Sequence, residues 1–434
     1  MKSSAPDRKT ADMVIDQPPT PRVCLLTESF HPVVGGAETH ARLLARHLNA
    51  LGMSTFVLTR RSDPKLSRAE SVNGIRTYRV PPARMKRFGK YAMIPFAFAE
   101  LVRKRKSYDI IFVCGFRVLG APAVMAAKML GKTCVLRAEA LGEMTGHYAS
   151  VFGRLPLPVG PLFRACIYAR NGVLKHADGF VGISGPVARE FAQCGVVGER
   201  IFGLPNGIDT ELFRPVDEVA KRLLKERLGL PIRAEIASYS GKLNRGKGLE
   251  HLVRAWEIVR RERAGAHLVL IGSGGGMSLS CEDELRRFVR ERRMSSTVTF
   301  TGYVENVHEY LQASDLFVFP SEDEAFGLSL VEAMSCGLPV IASRVGGIPE
   351  IVEHSHNGIL VRPGDPHALA REVIRLLGRP MLVRSLASHA RRTVCERYSI
   401  EAVAARYHQL FCALHADKCK FGVEHAEEVN QEPS

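Results

Sequence analysis

Short apolar runs alternate with segments of helical period along most of this chain. In the first half, Arg22 to Leu26, Ser54 to Leu58, Tyr108 to Cys114 and Thr133 to Leu136 read as strands, and Glu38 to Leu51 as a helix. A second series follows the turn from Pro205 to Asp209. There Ala234 to Ser240, His267 to Ile271, Val298 to Thr301, Leu316 to Phe319 and Pro339 to Ala342 read as five more strands, separated by helical or loop segments. Such alternation predicts parallel sheets covered by helices on both faces. The expected architecture is therefore α/β, with two facing Rossmann-like domains at residues 21–208 and 209–385, helices over 386–416, a flexible leader at 1–20 and a loose tail at 417–434. Ligands of such sheets sit at the carboxyl ends of the strands, so the expected site is the cleft between the domains.

Composition narrows the class. A chain of 434 residues with 46% hydrophobic content suits two soluble domains with sizeable cores. No apolar stretch approaches the roughly twenty residues of a membrane span, and the polar start lacks an apolar signal region, so a cytoplasmic protein is expected. The 10 cysteines are scattered singly, without a Cys-x-x-Cys pair, which argues against a disulfide framework and structural zinc. Cys24, Cys114 and Cys134 fall inside apolar runs and read as small core residues.

The net charge of +15 asks for an anionic partner. Nucleic acid is not expected, because no nucleic-acid-binding motif is present and aromatics make up only 7%. The densest basic cluster is Arg84, Lys86, Arg87 and Lys90, followed by Arg103 to Lys106 after the apolar stretch Ile94 to Ala99. Basic residues beside apolar ones suit an anionic membrane surface, with the protein at its cytoplasmic face, or an anionic acceptor. The same charges also read as the cap of a helix ending before the Tyr108 strand.

The chemistry concentrates between Leu316 and Ser343, where a strand, a polar loop and a helix carry two carboxylates, Glu324 and Glu332, eight positions apart. Gly327 removes the side chain where the backbone enters the helix, so peptide N–H groups from Ala325, Phe326, Gly327 and Leu328 can face an anion. Carboxylates suit such a place only if the ligand also presents hydroxyls, as a phosphate ester joined to sugars does. Gly35 and Gly36 open a helix and let the backbone approach a diphosphate. Lys242, Arg245 and Lys247 lie in the loop after the first strand of the second domain, where cations offset charge on a leaving group. The turn Gly272 to Gly276 matches neither a dinucleotide fingerprint nor a phosphate loop.

The run from Pro320 through Glu324, Phe326, Gly327, Leu328 and Glu332 to Ala342 closely resembles the paired-glutamate signature of glycosyltransferase family 4, retaining enzymes with the GT-B fold. The glycine loop at Gly35, the segments Pro205 to Asp209, Val345 to Val352 and Asn357 to Val361 extend the resemblance from about residue 22 to 375. These last segments read as turns and helix starts without a catalytic role. The resemblance implies that the domains close over a nucleoside-diphosphate sugar, with Glu332 on the ribose hydroxyls, Glu324 on the transferred sugar and Gly272 near the nucleotide. Lys242 and Lys247, with Gly35, Gly36 and the backbone from Ala325 to Leu328, would hold the departing diphosphate. It implies a hexose or N-acetylhexosamine transferred with retained configuration, without metal or cofactor, to an acceptor hydroxyl such as that of a lipid-linked or cell-surface glycan precursor.

The chain departs from the family pattern twice. Lys242 stands where the family has Arg, with Arg245 as a candidate for the missing guanidinium fork. The family's histidine after the Thr133 strand is absent, and Arg137 and Glu139 stand near its place as acceptor-side candidates. A nucleotide-sugar 2-epimerase of the same fold and a non-catalytic nucleotide-sugar-binding protein are the alternatives left open.

Overall fold

The computed structural model describes residues 20–429 apart from 34, 84, 86, 87, 147–158 and 276–278. The leader as far as residue 19, Arg84, Lys86, Arg87 and Gly276 thus lie outside the described residues. The first sheet holds β1 (Val23–Thr27), β2 (Thr55–Arg60), β3 (Ala69–Val72), β4 (Ile75–Val80), β5 (Ile110–Cys114), β6 (Thr133–Arg137), β7 (Gly179–Gly182) and β8 (Ile201–Gly203). Their order is β3-β4-β2-β1-β5-β6-β7-β8, with β3 and β4 antiparallel and the other pairs parallel. The second sheet holds β9 (Glu235–Ser240), β10 (Ala266–Ile271), β11 (Val298–Gly302), β12 (Leu316–Phe319), β13 (Val340–Ser343) and β14 (Ile359–Val361), in the parallel order β11-β10-β9-β12-β13-β14.

Strand order reverses between β1 and β5 in one sheet and between β9 and β12 in the other. These are the switch points where crevices open at the carboxyl ends of parallel strands. The loops leaving β1, β9 and β12 are the ones that carry Gly35, Lys242 and Glu324. Apolar strands buried on both faces explain the near-continuous hydrophobic runs, and every residue of β1, β5 and β10 is buried.

The chain crosses between the domains twice, and the crossings are hydrogen-bonded to each other. Ile208 N–H donates to the Tyr398 carbonyl at 2.9 Å, and Ile400 N–H to the Ile208 carbonyl at 2.8 Å. The helix Pro380–Arg397 packs on the second domain against the helix Leu328–Ser335. The next helix, Ile400–Val429, returns to the first domain, where Tyr407 and Phe411 pack edge-on against Phe112 of β5 at 5.4 and 5.2 Å. Each such buried aromatic is worth about 1.5–3 kcal/mol of apolar transfer, so this helix is an integral layer of the first domain.

Three features differ from the sequence reading. The hairpin β3–β4 turns at Asn73 and Gly74, both with positive φ, and short Gly-bearing β7 and β8 extend the first sheet beyond its four expected strands. β14 adds a sixth strand to the second sheet. The segment expected to be loose from residue 417 continues the last helix to Val429, with Lys418 Nζ donating to the Lys132 carbonyl at 2.5 Å and lying 3.6 Å from Asp178. Cys24, Cys114 and Cys134 are buried, and desolvation pushes their thiols well up, as core residues require. Among the described residues no helix is long and apolar enough to cross a membrane.

Candidate active site

The second domain supplies one wall of the cleft. β12 ends at Phe319, the chain turns through Pro320 to Gly327, and Gly327 enters the helix Leu328–Ser335 at φ 101°, a left-handed conformation that favours glycine. Among the described residues the N–H groups of Ala325, Phe326, Gly327 and Leu328 donate to no protein acceptor, leaving a row of donors at a helix N-terminus. The Phe326 side chain does not share this role, because it is buried against Tyr398 at 5.8 Å.

Glu324 receives Lys247 Nζ at 2.8 Å, so one expected carboxylate and one expected cation form a pair across two loops. The loops are tied elsewhere: Glu322 N–H donates to the Gly246 carbonyl at 2.9 Å, and His251 Nε2 lies 3.1 Å from Glu322. Glu332, eight positions on along the helix, has no hydrogen-bond or ion-pair partner for its carboxyl among the described residues. Burial pushes it up to about 7. Lys242 is exposed, with its ammonium unpaired among the described residues, while its carbonyl accepts from the Tyr239 hydroxyl at 3.2 Å. The Arg245 guanidinium pairs with Glu284 at 2.5 Å. Gly272 sits with its backbone against Gly241, and its N–H donates to the Gly302 carbonyl at 3.1 Å.

The first domain supplies the facing wall. Gly35 precedes the helix Gly36–Ala50, and a Cβ on Gly36 would lie 2.7 Å from Leu328 Cδ1, so the two expected phosphate-facing segments meet across the cleft. In the first turn of that helix Glu38 accepts from Ser29 Oγ at 2.5 Å. Glu28, after β1, is raised by burial, and Glu139, after β6, is raised first by burial and further by Glu38. Glu143 accepts from the Phe116 N–H at 3.0 Å and the Glu139 N–H at 2.9 Å and is pushed up to about 7 by burial.

Arg137 corrects an expectation. Read from sequence as an acceptor-side contact, it is fully buried, donates to Glu139 and Asn206, and lies beside Cys114 and Tyr407. The returning helix closes over it, so it supports Glu139 and the crossing at Asn206. Glu139 itself remains at the cleft, partly exposed.

Two residues escaped the sequence reading. His40 Nδ1 receives the Gly207 N–H at 3.1 Å, and burial together with Arg137 holds this imidazole neutral. Glu350, in the segment Val345 to Val352 that read as structural, accepts from the Gly185 N–H of the first domain through both carboxyl oxygens at 3.0 and 2.9 Å. An acid three residues after a glycine pair was visible in the sequence, but its partner lies 165 positions away.

Known proteins are similar to this chain in architecture and, more distantly, in sequence. Sucrose-phosphate synthase from Thermosynechococcus elongatus superposes with a TM-score of 0.75 at 27% identity, over 91% of this chain and 100% of that one. HepE from Anabaena, solved in complex with UDP and glucose, gives a TM-score of 0.72 at 20% identity, over 90% of this chain and 99% of that one. The N-acetyl-alpha-D-glucosaminyl L-malate synthase of Bacillus anthracis is 26% identical over 389 residues, covering 88% of this chain and 94% of the relative. D-inositol 3-phosphate glycosyltransferase of Acidothermus cellulolyticus is 28% identical over 377 residues, covering 82% of each. The family profile described as Glycosyltransferase Family 4 matches residues 34–212, and that described as Glycosyl transferases group 1 matches residues 234–379. With one match in each domain, together spanning most of the chain, and the paired glutamates at the cleft, the protein belongs to the group 1 glycosyltransferases of family 4, with the GT-B fold.

Proposed function

We propose that this glycosyltransferase moves a hexose or N-acetylhexosamine from a nucleoside-diphosphate sugar to an acceptor hydroxyl, with retained anomeric configuration and without metal or cofactor. The observation that carries the reading is the meeting of Gly36 with Leu328, which sets a helix N-terminus on each side of one narrow space beside the Lys247–Glu324 pair. Two helix termini with Lys242 and Lys247 give the positive field that a departing diphosphate requires. Glu332 accepts from the ribose hydroxyls and Glu324 from the transferred sugar. The bond from the anomeric carbon to the diphosphate oxygen breaks, the acceptor oxygen attacks on the same face, and the leaving phosphate takes the acceptor's proton. UDP in the Anabaena structure supports a nucleotide donor in this cleft.

Product analysis tests the reading. Acceptor-dependent release of nucleoside diphosphate, insensitive to EDTA and with an unaltered anomeric configuration by NMR, is expected. Epimerised donor in place of a glycosylated acceptor would assign the protein to the 2-epimerase class instead.

The raised Glu332 carboxyl fixes the sign of a pH effect. Below about pH 7 it gains a proton and loses its charge-assisted acceptance of hydroxyls. The donor KM is therefore expected to rise by up to about tenfold as pH falls from about 8 to about 6, and Glu332→Gln should flatten that profile. A pH-independent donor KM in the unaltered protein would remove Glu332 from the donor contacts.

The acceptor is proposed to be borne by the cytoplasmic face of an anionic membrane. Met85, Phe88, Tyr91 and Phe96 are exposed around Lys90, the arrangement that an interfacial contact needs. Arg103 and Lys104 are committed to Glu100, so among the described residues of this stretch the charge without an ion-pair partner comes from Lys90, Arg105 and Lys106. Sedimentation with phosphatidylglycerol vesicles is expected to carry the protein down, phosphatidylcholine vesicles should not, and Phe88→Ser with Tyr91→Ser should abolish the difference. Equal recovery in the supernatant with both lipids would contradict the membrane contact.

A further inference from the structure

Both carboxyl oxygens of Glu350, in the second domain, meet the N-terminus of a first-domain helix, Gly185–Gln193. That helix begins after β7, at the same carboxyl edge of the sheet as the cleft, and its N-cap residue Ser184 makes no capping bond of its own. The Ser184 hydroxyl oxygen is buried without a partner among the described residues. The cap is instead supplied from the other domain, as an anion at the positive end of a helix.

The segment that carries Glu350 also supports the catalytic loop. Gly347 N–H donates to the Glu324 carbonyl at 3.1 Å, and a Cβ on Gly346 would stand 1.8 Å from that same oxygen. Gly346 has φ 52°, so neither its space nor its backbone admits another residue without displacing Glu324. A Cβ on Gly347 would lie 2.4 Å from the Ala325 carbonyl and 2.9 Å from Ser184 Cβ, which places this segment between the loop and the first domain. On its far side the Tyr398 hydroxyl donates to the Glu350 carbonyl at 3.2 Å, while the Tyr398 ring meets Phe326. Tyr398 is also the residue whose carbonyl ties the two interdomain crossings together.

From this chain of contacts we infer that Glu350 is a positioning residue: it latches the first domain to the second and, through Gly346 and Gly347, sets the backbone of Glu324 when the cleft is closed. Taking the carboxylate from Gly185 frees the helix N-terminus to pull away, and the loop carrying Glu324 loses the contact that presses it forward. A cavity of about 180 Å³ beside the latch, lined by Ser184, Gly185, Phe326, Glu350, Arg397 and Tyr398, gives the two surfaces room to part. The effect on Glu324 rests on the role proposed for that residue above, whereas the latch itself does not.

The test separates the two. Small-angle X-ray scattering of the full chain without ligand is expected to show a larger radius of gyration for Glu350→Ala, while Glu350→Gln, whose amide oxygen still accepts from Gly185, keeps the compact value. Kinetically, Glu350→Ala should lower kcat by about tenfold with a smaller change in donor KM, and Glu350→Gln should restore most of it. Circular dichroism checks folding, and Glu350→Asp, one methylene short of Gly185, replaces the alanine variant if that one does not fold. A radius of gyration for Glu350→Ala equal to the unaltered protein, or one for Glu350→Gln as large as for Glu350→Ala, overturns the latch whatever the transferase assay reads. A shape change with unaltered kcat overturns the coupling to Glu324.

Discussion

Glu324→Gln is expected to lower glycosyl transfer by about 10²–10³-fold without weakening the binding of free nucleoside diphosphate. The substitution keeps the size and shape of the side chain and removes only its charge. A charged acceptor on the sugar hydroxyls gains strength as positive charge develops at the anomeric carbon, so its loss falls on kcat more than on KM. Lys247, 2.8 Å from Glu324 and partly exposed, is released rather than stranded by the change. Its ammonium becomes free to meet the diphosphate, so nucleotide affinity should hold or rise. Isothermal titration with UDP beside steady-state transfer checks both halves. Equal losses in nucleotide affinity and turnover would place Glu324 among general binding residues.

The second large effect is on stability. Arg137→Ala is expected to destabilise the first domain by about 3–5 kcal/mol, because it strands the partner of a buried charge. The guanidinium is fully enclosed, and its hydrogen bonds to Glu139 and Asn206 join the end of β6 to the crossing between domains. Removing it leaves Glu139, already raised by burial, without the nearer of the two arginines that favour its charged form, Arg117 being the other. Arg137→Ala combined with Glu139→Gln removes both charges and should recover part of the loss, a coupling that a double-mutant cycle in urea measures directly. Additive effects of the two changes would mean that the pair does not interact in the folded protein.

These two residues also mark where sequence and structure part company. The carboxylate half of the site was legible because Glu324, Gly327 and Glu332 lie within one strand, loop and helix, whose geometry follows from local spacing. The opposing glycines at Gly35 and Gly36 were legible for the same reason. Arg137 was not, because only the returning helix, with Tyr407 and Phe411, turns a strand-end arginine into a buried strut. Arg245, the candidate for the guanidinium fork missing at Lys242, pairs with Glu284 of the helix Glu282–Glu291, a contact the local sequence did not announce. Glu350 read as part of a turn and helix start since its partner, Gly185, opens a helix of the other domain. In each case the deciding contact is set by how separate elements dock, which local pattern does not encode.

Fold prediction followed a similar division. The long strands β1, β5 and β10 announced themselves by near-continuous apolar runs, whereas β7, with a glycine at each end, and β8, of three residues, have too little side chain to register. The last helix extends past the expected end, and Lys418 within it reaches the carbonyl of Lys132 and Asp178 in the first domain. A polar, charged sequence there gave no periodic signal of that docking.

The central claim is that the two walls of this cleft together bind a nucleoside-diphosphate sugar, and thermal melting with a panel of UDP-, GDP- and ADP-sugars tests it most directly. A ligand held at 100 times its Kd stabilises the folded protein by about 2.7 kcal/mol, well within the reach of a melting curve. One nucleotide class is expected to raise the Tm of the unaltered protein, and Glu332→Ala, weakening the donor by about tenfold, is expected to cut the stabilisation to about half. No shift with any member of the panel, or a shift unchanged by the loss of Glu332, would contradict the assignment.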